Sequence, residues 1–104
     1  LLIKFCLEFT IDKAIKTENK TLQEKLNDIG NIISSNTLND IGNIPDITGT
    51  FINNIDISLG LGGHGIMAEN IQNLARLAFE DSCHATHPFS VTMEDFTAVY
   101  TRAL

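Results

Sequence analysis

The first nine residues constrain the fold of this 104-residue chain more than any other segment. Seven of the nine are apolar, and the two polar ones, Lys4 and Glu8, are four residues apart and share one face of a helix. A helix that is apolar on nearly every side belongs inside a large core, and a chain of this length has little interior in which to bury one. We therefore expect residues 1–9 to be either an end helix of a small bundle or a helix whose neighbours lie in a longer protein. In the second case they expose an apolar face and self-associate.

The charge distribution excludes one large class of function. The net charge is −6, and no basic residue lies between Lys25 and Arg76. A nucleic-acid partner is therefore excluded, because phosphate binding needs clustered Lys and Arg. The apolar start is too short and too interrupted to span a membrane, and it lacks the flanks of a signal peptide. We predict a cytoplasmic protein without a membrane partner, whose two cysteines, Cys6 and Cys83, are reduced.

Capping signals and apolar stripes predict helices in both halves of the chain. Thr21 with Glu24, and Thr92 with Asp95, have the spacing of a capping box at a helix N-terminus. Apolar stripes at helical spacing follow each helix start, at Leu22, Leu26, Ile29 and Ile33 and at Phe96, Val99, Tyr100 and Ala103. A third stripe comprises Ile71, Leu74, Ala75, Ala78 and Phe79. The patterns predict helices at residues 1–15, 19–34, 68–80 and 93–103.

Two segments are harder to interpret from the residues alone. Residues 47–59 have apolar side chains at helical spacing with Gly60 placed to end a helix, yet residues 55–59 alternate as in a strand. The heptapeptide Leu-Asn-Asp-Ile-Gly-Asn-Ile occurs twice, at residues 26–32 and 38–44. We interpret it as a local duplication that lengthened a loop. The second copy runs into Pro45 and is expected in a connection, with loops and frayed ends across the Asn-rich residues 27–54.

Two clusters have residue types that could carry chemistry. The glycine-dense residues 60–65 lack the glycine order and the βαβ unit of a dinucleotide site, so we predict a helix terminator followed by a flexible turn. Asp81, Cys83, His84 and His87 are ligand types for zinc, but no second pair completes a structural site. We predict ordinary loop residues without a metal, so that His84→Ala leaves thermal stability unchanged.

The loop near the C-terminal end of the chain has the motif Asp81-Ser-Cys-His-Ala-Thr-His-Pro88. This motif is similar to the D-x-C-x-x-T-N-P-R loop of the iron-dependent (group III) alcohol dehydrogenase family. Thr92-Met-Glu-Asp-Phe96 resembles its T-x-E-D final helix, and residues 1–9 resemble the L-L-P-x-V-L-x-F-N end of a long helix that follows the metal site. The departures are His87 for Asn, Phe89 for Arg and Gly62 for Pro. The resemblance also favours a helix over residues 47–59, and with the helices above it predicts an all-α fold.

The resemblance implies that residues 1–104 are a single helical subdomain at the C-terminus of a larger two-domain enzyme. Its fold would be the multi-helix C-terminal part of a dehydroquinate synthase-like architecture. An N-terminal nucleotide-binding domain would be its partner and bind NAD(P). The ligands of Fe2+ or Zn2+, one Asp and three His, would precede Leu1. No catalytic, cofactor-binding or metal-binding residue carries over to this chain. Cys83 alone matches a loop position near the cleft, so it is the one predicted substrate-pocket residue.

Three hypotheses about function follow. In the first, the chain contributes packing and one wall of the cleft to an NAD(P)-linked alcohol dehydrogenase, and is inactive alone. In the second, it is a free-standing helical interaction module that binds a partner helix through residues 1–9. In the third, it is a small metal-binding domain that uses residues 81–87.

Overall fold

The computed structural model describes residues 1–34 and 40–104, which form helices and turns with no strand among them. The all-α prediction is confirmed. The α-helices of these residues are α1 (Ile3–Lys16), α2 (Lys20–Ser34), α3 (Ile44–Asn54), α4 (Ile71–Glu80) and α5 (Met93–Arg102). The chain divides into two compact units, one over residues 3–59 and one over residues 60–104. That the 104 residues act as one subdomain of a larger enzyme stays a prediction.

The first unit consists of α1, α2 and α3, which pack against one another. Its buried apolar side chains are Ile11, Ala14, Leu22, Leu26 and Ile44. Ile44 has no exposed surface at all, and burying a side chain of this size contributes about 1.5–3 kcal/mol. The Lys4 ammonium also donates a 2.7 Å hydrogen bond to the Asp46 carboxylate, which ties α1 to the first turn of α3.

Helix α2 begins at Lys20, so the predicted cap at Thr21 is wrong. The Asn19 side-chain oxygen accepts a 3.1 Å hydrogen bond from the Leu22 backbone N–H, and Thr21 lies inside the first turn. The reason is the turn that ends α1. Glu18 there adopts a positive φ of 51°, and the Asn19 N–H donates to the Ala14 carbonyl oxygen at 2.9 Å. This contact with the preceding helix places Asn19, rather than Thr21, at the cap.

Helix α3 begins three residues earlier and ends five residues earlier than the predicted 47–59. The helical interpretation of this segment is confirmed, but its bounds are wrong. Of the second heptapeptide copy, residues 40–43 lie in the connection before α3, as predicted, and Ile44 is the first residue of the helix. Pro45 lies in the first turn, where a helix needs no donor from its nitrogen. The helix ends at Asn54, beyond which Asp56 takes a φ of +59°, so Gly60 does not terminate it.

The Asn-rich segment is also more regular than predicted. Residues 27–34 belong to α2 and residues 44–54 to α3, where loops and frayed ends were expected. The residues that directly follow Ser34, where α2 is predicted to end, lie outside the described residues. So do Leu38 and Asn39, the first two residues of the second heptapeptide copy.

The second unit contains α4 and α5, which pack against each other. Ile71 and Ala75 of α4 and Val99 of α5 are buried, as the apolar stripes predict. The capping box that begins α5 is confirmed. The Thr92 N–H donates to Asp95 Oδ2 at 3.0 Å, and the Asp95 N–H donates to Thr92 Oγ1 at 3.2 Å.

The apolar start of the chain is partly exposed. Leu1 and Ile3 are 46% and 47% exposed, and Phe5, Leu7 and Phe9 are half-buried. Self-association through residues 1–9 stays a prediction. No helix within the described part of the chain has the length and hydropathy needed to cross a bilayer.

Candidate functional site

The glycine-dense turn of the second unit packs against the end of α5. The Leu61 N–H donates a 2.6 Å hydrogen bond to the Ala103 carbonyl oxygen. Gly60 has a φ of +89°, and a Cβ there would lie 2.9 Å from the same oxygen. A Cβ on Gly62 would lie 2.5 Å from the carbonyl oxygen of Leu104. The glycines at these two positions therefore permit a close approach of two backbone segments, which a side chain would block.

Three amide donors of this turn are used inside the turn. His64 N–H and Ile66 N–H both donate to the Leu61 carbonyl oxygen, at 3.0 and 3.3 Å, and Gly65 N–H donates to Gly62 at 3.2 Å. A phosphate cradle requires such N–H groups to point outward at the anion. The turn predicted at residues 60–65 is confirmed, and its role in the structure is to support α5.

In the loop that follows α4, both the N–H and the carbonyl oxygen of Cys83 are hydrogen-bonded to side chains. The Cys83 N–H donates to Asp81 Oδ1 at 2.8 Å, and the Thr86 hydroxyl donates to the Cys83 carbonyl oxygen at 2.9 Å. These bonds cap and close a short 3₁₀ turn over Ser82–Thr86. The Cys83 side chain itself is exposed, and both Cys6 and Cys83 are free thiols. The loop thus presents a thiol on a well-defined turn.

The Asp81 carboxylate makes the Cys83 thiol a weak nucleophile. A hydrogen bond to Asp81 and its negative charge raise the pKa of Cys83. The same hydrogen bonds from Cys83 lower the pKa of Asp81. Because the thiolate is the nucleophilic form, the raised pKa lowers the reactivity of Cys83. Its chemistry suits an uncharged lining residue better than a covalent catalyst.

His84 binds back onto α4 and α5. Its Nε2 lies 2.9 Å from the Phe79 carbonyl oxygen, which can only accept, so Nε2 carries the proton. Its ring stacks on Phe79 at 5.2 Å between centroids and meets the Phe96 ring edge-on at 5.8 Å. These contacts revise the expectation that His84→Ala leaves stability unchanged, because a hydrogen bond and two ring contacts are lost.

His87 and Phe89 form the other end of the loop. Their rings meet edge-on at 4.4 Å between centroids. Burial lowers the pKa of His87, so its ring is neutral at physiological pH. The loop surrounds an open groove of about 470 Å³. The groove is lined by His84, Ala85, His87, Pro88, Phe89, Ser90 and Val91, a segment that begins one residue after Cys83.

The structure does not bring the predicted ligand-type residues together as a metal site. Within residues 1–34 and 40–104, no three His, Cys, Asp or Glu side chains form a group that could hold an ion. Asp81 bonds to the Cys83 backbone and His84 to the Phe79 backbone, so two candidate ligands have other roles. The described residues therefore do not fit the iron or zinc that the resemblance implies for the enzyme. The predicted lack of a metal on this chain stays a prediction.

Three residues that hold this loop, Phe79, Thr86 and Phe96, were not predicted as its partners from the sequence. Phe79 and Phe96 belong to apolar stripes and were interpreted as core residues, although Phe79 is 44% exposed. A pairing of residues 79 and 84 has no helical spacing, because the chain leaves the helix between them. Only Thr86 carried a usable signal, as a turn former inside the loop.

Comparison with known proteins agrees with the helical fold. The chain matches the description "Fe-containing alcohol dehydrogenase family, C-terminal" over residues 5–104. No curated protein and no solved structure gives a significant match. The match covers nearly every residue, including both compact units and the Cys83 loop. The chain therefore belongs to the Fe-containing alcohol dehydrogenase family, in the C-terminal part of that family's fold.

Proposed function

We propose that this chain is the helical C-terminal portion of a metal-dependent alcohol dehydrogenase that interconverts alcohols and aldehydes with NAD(P). The observation that carries the proposal is the family match over residues 5–104. The partner is an N-terminal nucleotide-binding domain, as the resemblance implies. The resemblance implies that the metal ligands and the nicotinamide site belong to the rest of the enzyme. Among the described residues of this chain, no group of three His, Cys, Asp or Glu side chains could hold the metal.

The chain's own contribution is one wall of the active-site cleft. The Cys83 loop supports this role, since two hydrogen bonds fix the Cys83 backbone while its thiol stays exposed. A protonated thiol presents a small, uncharged surface that a neutral alcohol can contact without reaction. Cys83 is thus a substrate-pocket residue and takes no part in hydride or proton transfer.

Substitution of Cys83 by a large side chain in the intact enzyme tests this role. We expect Cys83→Trp to raise KM for bulky alcohols roughly tenfold, as lost pocket complementarity of this size does. Metal content and activity toward the smallest alcohols should stay unchanged. The matched control is Cys6→Trp, the same change at the other exposed cysteine. Equal KM values for the two variants would contradict a pocket role for Cys83.

The 104-residue chain alone should neither bind NAD(P) nor oxidise alcohols. Hydride transfer requires the nicotinamide held against the substrate carbon with charge stabilisation at the oxygen, and the chain is assigned neither component. Calorimetric titration with NAD and an assay with a simple alcohol or diol measure both. Turnover by the purified chain would overturn the division of roles.

A second candidate is a free-standing helical interaction module. The observation that favours it is the exposure of Leu1 and Ile3, about half of each side chain, at the apolar start of the chain. Light scattering of the wild-type chain and of Ile3→Glu distinguishes the two. Concentration-dependent association that Ile3→Glu abolishes, without any gain of activity on adding the N-terminal domain, would favour the module.

A further inference from the structure

His84 connects the Cys83 loop to both helices of the second unit. Its Nε2–H donates to the Phe79 carbonyl oxygen, one of the last four carbonyls of α4 that lack a partner within the helix. Its ring also lies on Phe79, nearly parallel at 14°, and against Phe96 of α5 at 79°. A single side chain therefore supplies a hydrogen-bond donor to one terminal carbonyl of α4 and also contacts α5.

Movement of His84 would be transmitted directly to Cys83. The two residues are neighbours in the 3₁₀ turn, and the His84 carbonyl oxygen accepts a 3.1 Å hydrogen bond from the His87 N–H, which closes the turn. Asp81 Oδ1 accepts a 2.8 Å hydrogen bond from the Cys83 N–H at the start of the same turn. The hydrogen bonds of the turn are exposed, so water competes for them once the turn loosens.

We infer that His84 is a positioning residue, which sets the orientation of the Cys83 thiol and of the adjoining groove by holding residues 81–87 against α4 and α5. The inference rests on the proposed function only for the statement that this loop faces substrate. The contacts of His84 that support it lie entirely within the second unit. His84 also lines the groove, so its substitution changes the groove wall as well as the turn.

The test measures the environment of the Cys83 thiol in the 104-residue chain. A Cys6→Ser background leaves Cys83 as the single thiol, and its alkylation rate by iodoacetamide is followed from neutral to alkaline pH. Asp81 raises the pKa of Cys83 in the intact turn. With His84→Ala the turn loosens, so the midpoint of the pH–rate profile should move to lower pH. The rate at neutral pH should rise severalfold.

Two further variants separate positioning from general loss of stability. His84→Gln retains an N–H donor for Phe79 and a flat group against its ring, so it should restore the original profile. His84→Phe retains the ring contacts without the donor, so its profile should move in the direction of His84→Ala. His64→Ala, the loss of a histidine from the glycine turn of the same unit, is the matched control and should leave the profile unchanged.

The outcomes of this test are distinct from those of the proposed function. Coincident profiles for all His84 variants would overturn the positioning role, whatever the activity of the intact enzyme. A shifted profile for His84→Ala with rescue by His84→Gln establishes it, even if Cys83→Trp leaves KM unchanged and the pocket assignment fails. Failure of rescue by His84→Gln, with thermal melting lowered equally in all variants, would reduce His84 to a packing residue and overturn the inference.

Discussion

The two copies of Leu-Asn-Asp-Ile-Gly-Asn-Ile have the same sequence and different structures. The first copy, residues 26–32, lies within α2. The described part of the second copy, residues 40–44, forms a capped 3₁₀ turn that runs into α3. Ile32 at the end of the first copy is 77% exposed, whereas Ile44 at the end of the second has no exposed surface. The heptapeptide sequence by itself therefore determines neither the conformation of a copy nor the burial of its side chains.

The flanking residues explain the difference. The first copy continues a helix that has already begun at Lys20, and no proline interrupts it. The second copy is followed by Pro45, whose ring would clash with the carbonyl of Ile41 if the helix ran through both. The chain instead starts a new helix at Ile44, with Pro45 in its first turn. Asp40 stabilises the entry, because its carboxylate accepts a 2.8 Å hydrogen bond from the Gly42 N–H.

The largest expected difference in mutational effect on the free energy of unfolding is at the last residue of each copy. Ile44→Ala removes a fully buried side chain and should lower the free energy of unfolding by about 2–5 kcal/mol. Ile32→Ala, the same change at the exposed equivalent, should cost less than about 0.5 kcal/mol. Urea denaturation followed by circular dichroism measures both. If Ile44→Ala prevents folding, Ile44→Val should still lower stability by about 1 kcal/mol. Equal effects at the two positions would refute the difference in burial.

A smaller difference is expected at the aspartates of the two copies. Asp40→Ala removes the cap of the turn before α3 and should cost about 1 kcal/mol. Asp28→Ala changes the equivalent residue on the exposed face of α2 and should be nearly neutral. The same denaturation experiment compares them, with Asp40→Asn expected to retain most of the cap. A neutral Asp40→Ala would show that the entry to α3 depends on packing alone.

Pro45→Ala tests the residue that separates the copies. The substitution gives the unfolded chain more freedom and should lower stability by about 0.4–1 kcal/mol. It also removes the block to a continuous helix, so helical ellipticity at low temperature should stay equal or rise. Pro88→Ala is the control in the second unit. A fall in ellipticity for Pro45→Ala would mean that Pro45 is required to start α3.

The smallest expected effect concerns the ion pair beside the second copy. Lys4→Met removes the bond to Asp46 and should cost about 0.2–1 kcal/mol, since both side chains are partly exposed. The hydrogen bond to Asp46 raises the pKa of Lys4, so the folded protein holds this proton more tightly than the unfolded chain. The contribution is therefore complete at neutral pH and lost as the pH rises through the pKa of folded Lys4.

Denaturation midpoints at neutral and strongly alkaline pH, with low and high salt, check this last expectation. Lys25→Met on α2 is the control near the first copy. The difference between Lys4→Met and wild type should shrink at high salt and at alkaline pH. A difference that persists under both conditions would show that the Lys4 methylenes matter more than the charge.

Much of the second unit was predictable from short spacings. The Thr92–Asp95 box and the stripe through Ile71 and Ala75 depend on residues three or four apart, and both are confirmed. The loop after α4 was also expected, and Thr86 closes it as a turn former should. The partners of His84 were not predictable, because Phe79 and Phe96 approach it through the packing of two helices.

The sequence by itself determined the helical class, the start of α5 and the loop before it, because helix periodicity and side-chain caps act within about one turn of the chain. The tertiary structure decided that Asn19 and not Thr21 caps α2, and that Ile44 of the second heptapeptide copy is buried. It also decided that residue 60 must lack a side chain, because it packs against the Ala103 carbonyl oxygen. The contact at Gly60 and the burial of Ile44 depend on groups distant in sequence, and the cap of α2 depends on the turn that ends the preceding helix. Where the local sequence permits two conformations, the chain adopts the one that both buries apolar surface and gives its backbone N–H groups hydrogen-bond acceptors.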